Sequence, residues 1–93
     1  MILTYDEHGG FFDHVSPIPI MTEAPPGASY PAFDCSGVRV PGLIISPLAP
    51  EGAVYSKPLD HTSILSFLAR KFGGGKDYSG EVAAREAELS TVG

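Results

Sequence analysis

The sequence predicts an α/β fold with short parallel strands, long Pro- and Gly-rich loops and one or two C-terminal helices. Three observations carry that prediction. Two short apolar, β-prone runs, Met1 to Tyr5 and Leu43 to Ile45, stand far apart in the chain. One later segment repeats its apolar residues at helical spacing. Gly (11) and Pro (9) together make up about a fifth of the 93 residues, against nearer an eighth in an average chain, so loops are long.

Each element follows from its residues. Met1 to Tyr5 ends at an acidic cluster and reads as a buried strand of about five residues. Asp6 to His14 is a loop in which Gly9 and Gly10 permit backbone angles that other residues avoid. Ser16 to Tyr30 holds Pro17, Pro19, Pro25, Pro26 and Gly27, has no sustained period, and reads as a surface excursion. Val38 to Val40 is a short strand candidate stopped by Pro41. Leu43 to Ser46 is apolar without alternation, which predicts a strand covered on both faces, as in a parallel sheet. Pro47 to Pro58 is loop again. Asp60 or Thr62 caps a helix whose Ile64, Leu65, Leu68, Ala69 and Phe72 share one face. Gly73-Gly74-Gly75 ends it. Ser79 or Gly80 opens a second, weaker helix through Leu89, with Glu81 in its dipole-favoured first turn.

Size and charge exclude several classes. A chain of 93 residues forms one domain at most, and burying only about 60–65% of its unfolded surface leaves it marginal. Parallel strands need helices on both faces, and this chain supplies too few. It therefore reads as a single incomplete domain, residues 1–93, beginning inside what resembles a central strand. If such a piece folds, oligomerisation is one route to stability. The formal net charge is −5 and the six Lys and Arg residues are scattered, so no basic face for nucleic acid forms. No run approaches the ~18 apolar residues of a membrane span. The start reaches a charge at Asp6 with no basic region before it, unlike a signal peptide. Cys35, the single cysteine, says little about compartment.

The candidate chemistry lies just past the first strand. In open α/β sheets, functional groups gather at the carboxyl ends of strands. Tyr5-Asp6-Glu7-His8-Gly9-Gly10 occupies such a position. Two adjacent carboxylates and an imidazole are ligand types for a divalent cation, and without one Asp6 and Glu7 repel each other. Asp13-His14 follows within the same loop. Three ligand-type residues in a row lack the spacing specificity of a zinc-finger pattern, and a solvated loop is the competing reading.

The neighbouring blocks strengthen the first reading. Ile2 to Val15, with Asp6-Glu7-His8-Gly9-Gly10-Phe11-Phe12-Asp13-His14 at its centre, resembles the closing signature of the bacterial phosphoesterase family. Phosphocholine-type phospholipases C and related acid phosphatases belong to that family, within the alkaline-phosphatase-like superfamily. Gly37 to Pro47 is similar to the next block. Leu59 to Leu65, followed by Arg70-Lys71-Phe72-Gly73, is similar to a third, in the family's order. The resemblance implies a C-terminal fragment with a partial alkaline-phosphatase-like sheet. It also implies a divalent metal of unspecified identity held by Asp6 and Glu7, with His8 as a catalytic helper or phosphate donor. The implied substrate is a phosphate ester or a phospholipid, hydrolysed through a Ser or Thr nucleophile on upstream strands that have no counterpart here. Full-length members are often exported. The isolated chain is then expected to be inactive. A rival reading from another class is a small non-catalytic binding or assembly protein that retains the ligand pair.

Other residues carry two readings each. His61, in Asp60-His61-Thr62-Ser63, either approaches a phosphate with the helix N-terminus or belongs to a capping cluster. His14 either binds substrate at the pocket mouth or orders its loop. Arg39 pairs with a loop carboxylate or reaches substrate. Ser46 follows a strand, but the family does not place its nucleophile in that block. Gly73-Gly74-Gly75-Lys76 follows a helix and lacks the spacing of a phosphate loop. Phe11 and Phe12 are packing residues or line the substrate mouth.

Overall fold

The computed structural model describes residues 1–20 and 23–89. The chain divides into two units, Met1–Ala53 and Val54–Gly93, each considered by itself. The first carries strands β1 (Ile2–Thr4) and β2 (Gly42–Ile44), and the second carries helices α1 (His61–Phe72) and α2 (Gly80–Glu86).

β1 and β2 pair antiparallel, with Ile2 opposite Ile44, Leu3 opposite Leu43 and Thr4 opposite Gly42. At one end the Met1 nitrogen donates to Ile45 O at 2.7 Å, and Ile45 N returns a bond to Met1 O at 2.9 Å. At the other end Thr4 Oγ1 donates to Pro41 O at 2.9 Å. The pairing corrects the expected parallel arrangement. Parallel neighbours need a crossover, usually helical, that returns the chain to its starting end. The described residues between Thr4 and Gly42 contain no helix, so the chain comes back in the opposite direction. Nor are the strands covered on both faces: Leu3 is 52% exposed and Leu43, opposite it, 56%. Ile44 and Ile45 are exposed as well. Val38 to Val40 forms no strand, because among the described residues the sheet contains only β1 and β2.

The long excursion between the strands is loop, as expected, and is pinned once. Pro19 and Cys35 face each other in an antiparallel bridge. Ser36 N donates to Ile18 O at 2.8 Å and Ile20 N to Asp34 O at 3.0 Å, so the bridge draws its bonds from the residues around Pro19 and the missing proline N–H is not needed.

In the second unit the cap chemistry is legible residue by residue. Asp60 is the N-cap of α1, and its Oδ1 accepts from Thr62 N at 2.8 Å and Thr62 Oγ1 at 2.6 Å. Asp60 N donates back to Ser63 Oγ at 3.3 Å, completing a capping box. Gly73 closes the helix, its N–H donating to Ala69 O at 2.7 Å. A Cβ there would lie 2.5 Å from that same oxygen, so the position requires glycine. Ser79 caps α2, its Oγ accepting from Val82 N at 3.2 Å. α2 ends at Glu86 rather than Leu89, where Glu88 N and Leu89 N bond three residues back and tighten the last turn.

Polar bonds join α1 and α2. Among the described residues Val82 is the buried apolar one, and Ser63 and Ser66 are buried as well. Ser66 Oγ donates to Glu86 Oε2 at 2.7 Å, and Arg70 pairs with Glu86. Arg85, only 10% exposed, donates from Nε to Asp60 Oδ2 at 2.9 Å and pairs with Glu88 through Nη1.

Asp60 therefore serves a cap and an inter-helix pair at once. Burial alone would raise its carboxyl, but hydrogen bonds from Thr62 and Arg85 outweigh it and hold the group below its ordinary value of 3.8. A folded value below the unfolded one gives stability that is present above the unfolded value and lost as pH falls through the folded one. Helicity at 222 nm is thus expected to fall on acidification past the carboxylate range. Asp60→Ala is expected to cost about 1–2 kcal/mol at neutral pH, the worth of a strong cap, and to flatten that acid dependence. An unchanged denaturation midpoint in Asp60→Ala would show that the carboxylate does not hold the helix pair.

Candidate functional site

Asp6 and Glu7 form a bend immediately after β1, two residues beyond Thr4. Both are exposed, and among the described residues neither makes a hydrogen bond or ion pair with the protein. The bend turns because Gly9 and Gly10 follow at φ 65° and 81°, positive angles that L side chains resist. Phe11 N donates to His8 O at 3.1 Å and closes the turn.

The same turn orients His8. Gly10 N donates to His8 Nδ1 at 3.0 Å. An Nδ1 that accepts a bond leaves the proton of the neutral ring on Nε2. His8 therefore presents an N–H donor from its exposed side, suited to an anionic oxygen and unsuited to metal ligation through Nε2. That tautomer could not be read from the sequence, because it depends on which backbone N–H the turn delivers to the ring.

Asp13 is engaged by Arg39. Its carboxylate takes two bonds from Arg39, Nε to Oδ2 at 2.5 Å and Nη2 to Oδ1 at 2.9 Å. It also accepts from Val15 N at 3.2 Å, which folds its own loop. The Asp13 side chain is 13% exposed, and the hydrogen bond from Arg39 lowers its carboxyl from 3.8 to about 2. Of the two readings of Arg39, pairing with a loop carboxylate is the one observed. His14, well exposed, lies with Nδ1 3.5 Å from Asp13 Oδ1. A shallow cleft of about 350 Å³ opens beside this pair, lined by Phe12, Asp13, Arg39, Val40 and Pro41.

The remaining candidates belong to other segments of the chain. His61 is the first residue of α1, in the second unit, inside the capping cluster built by Asp60 and Ser63. Ser46 Oγ accepts from Leu48 N at 3.2 Å and so serves its local turn. Cys35 is an exposed free thiol.

The donor set fits a cation in kind. Asp6 and Glu7 offer hard carboxylate oxygens that nothing in the described chain neutralises, the chemistry that Mg, Ca or Mn prefers. Among the described residues no three His, Cys, Asp or Glu side chains come together as a complete metal cluster. The chain thus carries two carboxylates and an adjacent N–H donor at a strand end.

Comparison with known proteins places this segment. The model of the Phosphoesterase family matches residues 1–74. Non-specific phospholipase C6 of Arabidopsis thaliana is 36% identical over 85 residues, covering 77% of this chain and 16% of its own length. Phospholipase C A of Mycobacterium tuberculosis is 37% identical over 90 residues, covering 78% of this chain and 16% of its own length. Hemolytic phospholipase C of Pseudomonas aeruginosa is 40% identical over 83 residues, covering 77% of this chain and 11% of its own length. The chain therefore spans about a sixth or less of the length of these relatives. No solved structure matches it.

The Asp13–Arg39 clamp can be tested without any activity. In Arg39→Ala the Asp13 carboxyl is expected to titrate nearer 3.8 than 2, followed by side-chain carboxyl ¹³C shifts. An Asp13 that still titrates near 2 would place the cause outside Arg39.

Proposed function

The chain belongs to the phosphoesterase family, and from that premise we propose that it carries half of the metal site of a metal-dependent phosphoesterase. On this reading residues 1–93 are the carboxy-terminal part of an alkaline-phosphatase-like catalytic domain. The substrate of the whole protein is a phosphate ester, with a phospholipid as the first candidate because the relatives are named phospholipases C. The observation that supports the reading is the Asp6–Glu7 pair, exposed and unneutralised at the carboxyl end of β1, inside the family-matched residues 1–74.

Each residue then has a role. Asp6 and Glu7 hold a divalent cation through their carboxylates. A bound cation of this kind polarises phosphoryl oxygens and lowers the pKa of an attacking hydroxyl. His8 donates from Nε2 to a phosphate oxygen, with its ring held by Gly10 N. Asp13 and Arg39 fix the far end of the loop that carries them. His14 and His61 stay as candidate substrate contacts, one beside the clamp and one at the start of α1. The nucleophile belongs to a part of the protein that these residues do not span, so the 93-residue chain turns nothing over by itself.

Two measurements decide this. The isolated chain is expected to show no hydrolysis of p-nitrophenyl phosphate with Mg²⁺, Ca²⁺, Mn²⁺, Zn²⁺ or iron. Metal-dependent turnover that Asp6→Asn abolishes would overturn the half-site. A chimera of Mycobacterium tuberculosis phospholipase C A, with its matching segment replaced by residues 1–74, is expected to hydrolyse phospholipid. Asp6→Asn or Glu7→Gln in that chimera should lower kcat/KM by about a thousandfold, the rate equivalent of ~4 kcal/mol. Full activity in both variants would remove the pair from the metal site.

A further inference from the structure

α2 is too short to stand by itself. It has seven residues, Gly80–Glu86, and isolated helices below about 12–15 residues are marginal in water. Its buried side chain is Val82. Two charge pairs tie it to α1. Arg85 Nε donates to Asp60 Oδ2 at 2.9 Å. Glu86 accepts from Ser66 Oγ at 2.7 Å and pairs with Arg70. The pairs run in opposite senses. Along α1 the anion Asp60 comes before the cation Arg70, and along α2 the cation Arg85 comes before the anion Glu86. Asp60 and Arg70 stand ten residues apart, about 15 Å along a helix axis, while Arg85 and Glu86 are adjacent. Sliding α2 either way along α1 stretches one pair. Reversing α2 sets Arg85 against Arg70 and Glu86 against Asp60. The charges therefore specify one register.

The connection between the helices leaves α2 free to swing. Gly73 ends α1, and Gly74 and Gly75 follow at φ 68° and 80°. A Cβ on either would meet nothing within 4 Å, so no neighbouring atom confines this turn. Small, uncrowded residues of this kind serve as hinges. The docked helix also carries a cost. Arg85 Nη2 is buried and finds no acceptor among the described residues, a penalty returned when the guanidinium reaches water. Letting Arg85 go leaves α1 capped, because Thr62 N and Oγ1 bond the other carboxylate oxygen, Asp60 Oδ1.

We infer that α2 is a hinged strap on α1. It pivots at Gly74 and Gly75, is latched by the crossed pairs Asp60–Arg85 and Arg70–Glu86, and opens as a unit while α1 stays folded. Opening frees Ser66, Arg70 and one oxygen of Asp60 on α1, with Arg85 and Glu86 on α2. The strap lies past residues 1–74, the segment that the family model matches, and is independent of the chemistry of Asp6 and Glu7. A latch made of charge pairs answers to ionic strength. Arg70 is 56% exposed, so salt screens its pair with Glu86 first.

Amide exchange in the full 93-residue chain tests the strap, with α1 as the reference inside the same molecule. The amides of Ala83 and Ala87, bonded to Ser79 O and Ala83 O, are expected to exchange about tenfold faster than those of Leu68 and Ala69 in α1. Glu86→Lys should widen that ratio about tenfold further. A lysine in the last turn favours an isolated helix through its dipole, so a purely local role for Glu86 gives the opposite sign. The double variant Arg70→Glu, Glu86→Lys re-forms the pair and should bring the ratio back to within about threefold of the parent. Raising NaCl to about 1 M, where charges act over only ~3 Å, should widen the parent ratio about threefold. Acceleration of α1 and α2 together in Glu86→Lys makes the helices one unit and overturns the strap, as does loss of all protection in α1. A ratio unmoved by Glu86→Lys or by salt puts the hold on Val82 and overturns the latch. A double variant no better than Glu86→Lys does the same.

Discussion

Val82 is the apolar side chain that reaches burial among the described residues, and this scarcity of apolar burial decides how everything else is held. Full burial of one such side chain contributes only about 1.5–3 kcal/mol. Order must therefore come from hydrogen bonds and charge pairs at particular places. In the second unit one carboxylate, Asp60, ties the start of α1 to Arg85 of α2. In the first, Asp13 ties the loop after β1 to Arg39. Both carboxylates accept from a backbone N–H and an arginine together, and both are held below their ordinary ionisation range as a result.

What the sequence makes legible follows from how local each signal is. The caps at Asp60 and Ser79 and the stop at Gly73 are decided within four residues, and they stand where the residues predict. Strand direction is not local. The apolar run at Leu43 to Ile45 fits a strand buried on both faces, and nothing within it records that the chain returns antiparallel and half uncovered.

The candidate site divides in the same way. That Asp6 and Glu7 follow a strand end is readable from order alone, and so is the likeness of the surrounding block to phosphoesterases. That Asp13 is taken up in an ion pair depends on Arg39, 26 residues away. That His8 carries its proton on Nε2 depends on the turn made by Gly9 and Gly10. Sequence proximity groups the five acidic and imidazole residues of this loop together, while folding pairs Asp13 with Arg39 and leaves Asp6 and Glu7 exposed.

The flanks of β2 have a consequence for the life of this chain in a crowded cell. Pro41 precedes the strand and Pro47 follows Ser46. Neither can donate a ladder bond, so a stacking neighbour gains at most the few residues between them. Exposed Leu43, Ile44 and Ile45 would otherwise resemble a seed for cross-β growth. The two prolines act as gatekeepers that shorten the adhesive stretch, the kind of device by which an exposed apolar ribbon escapes conversion to fibrils.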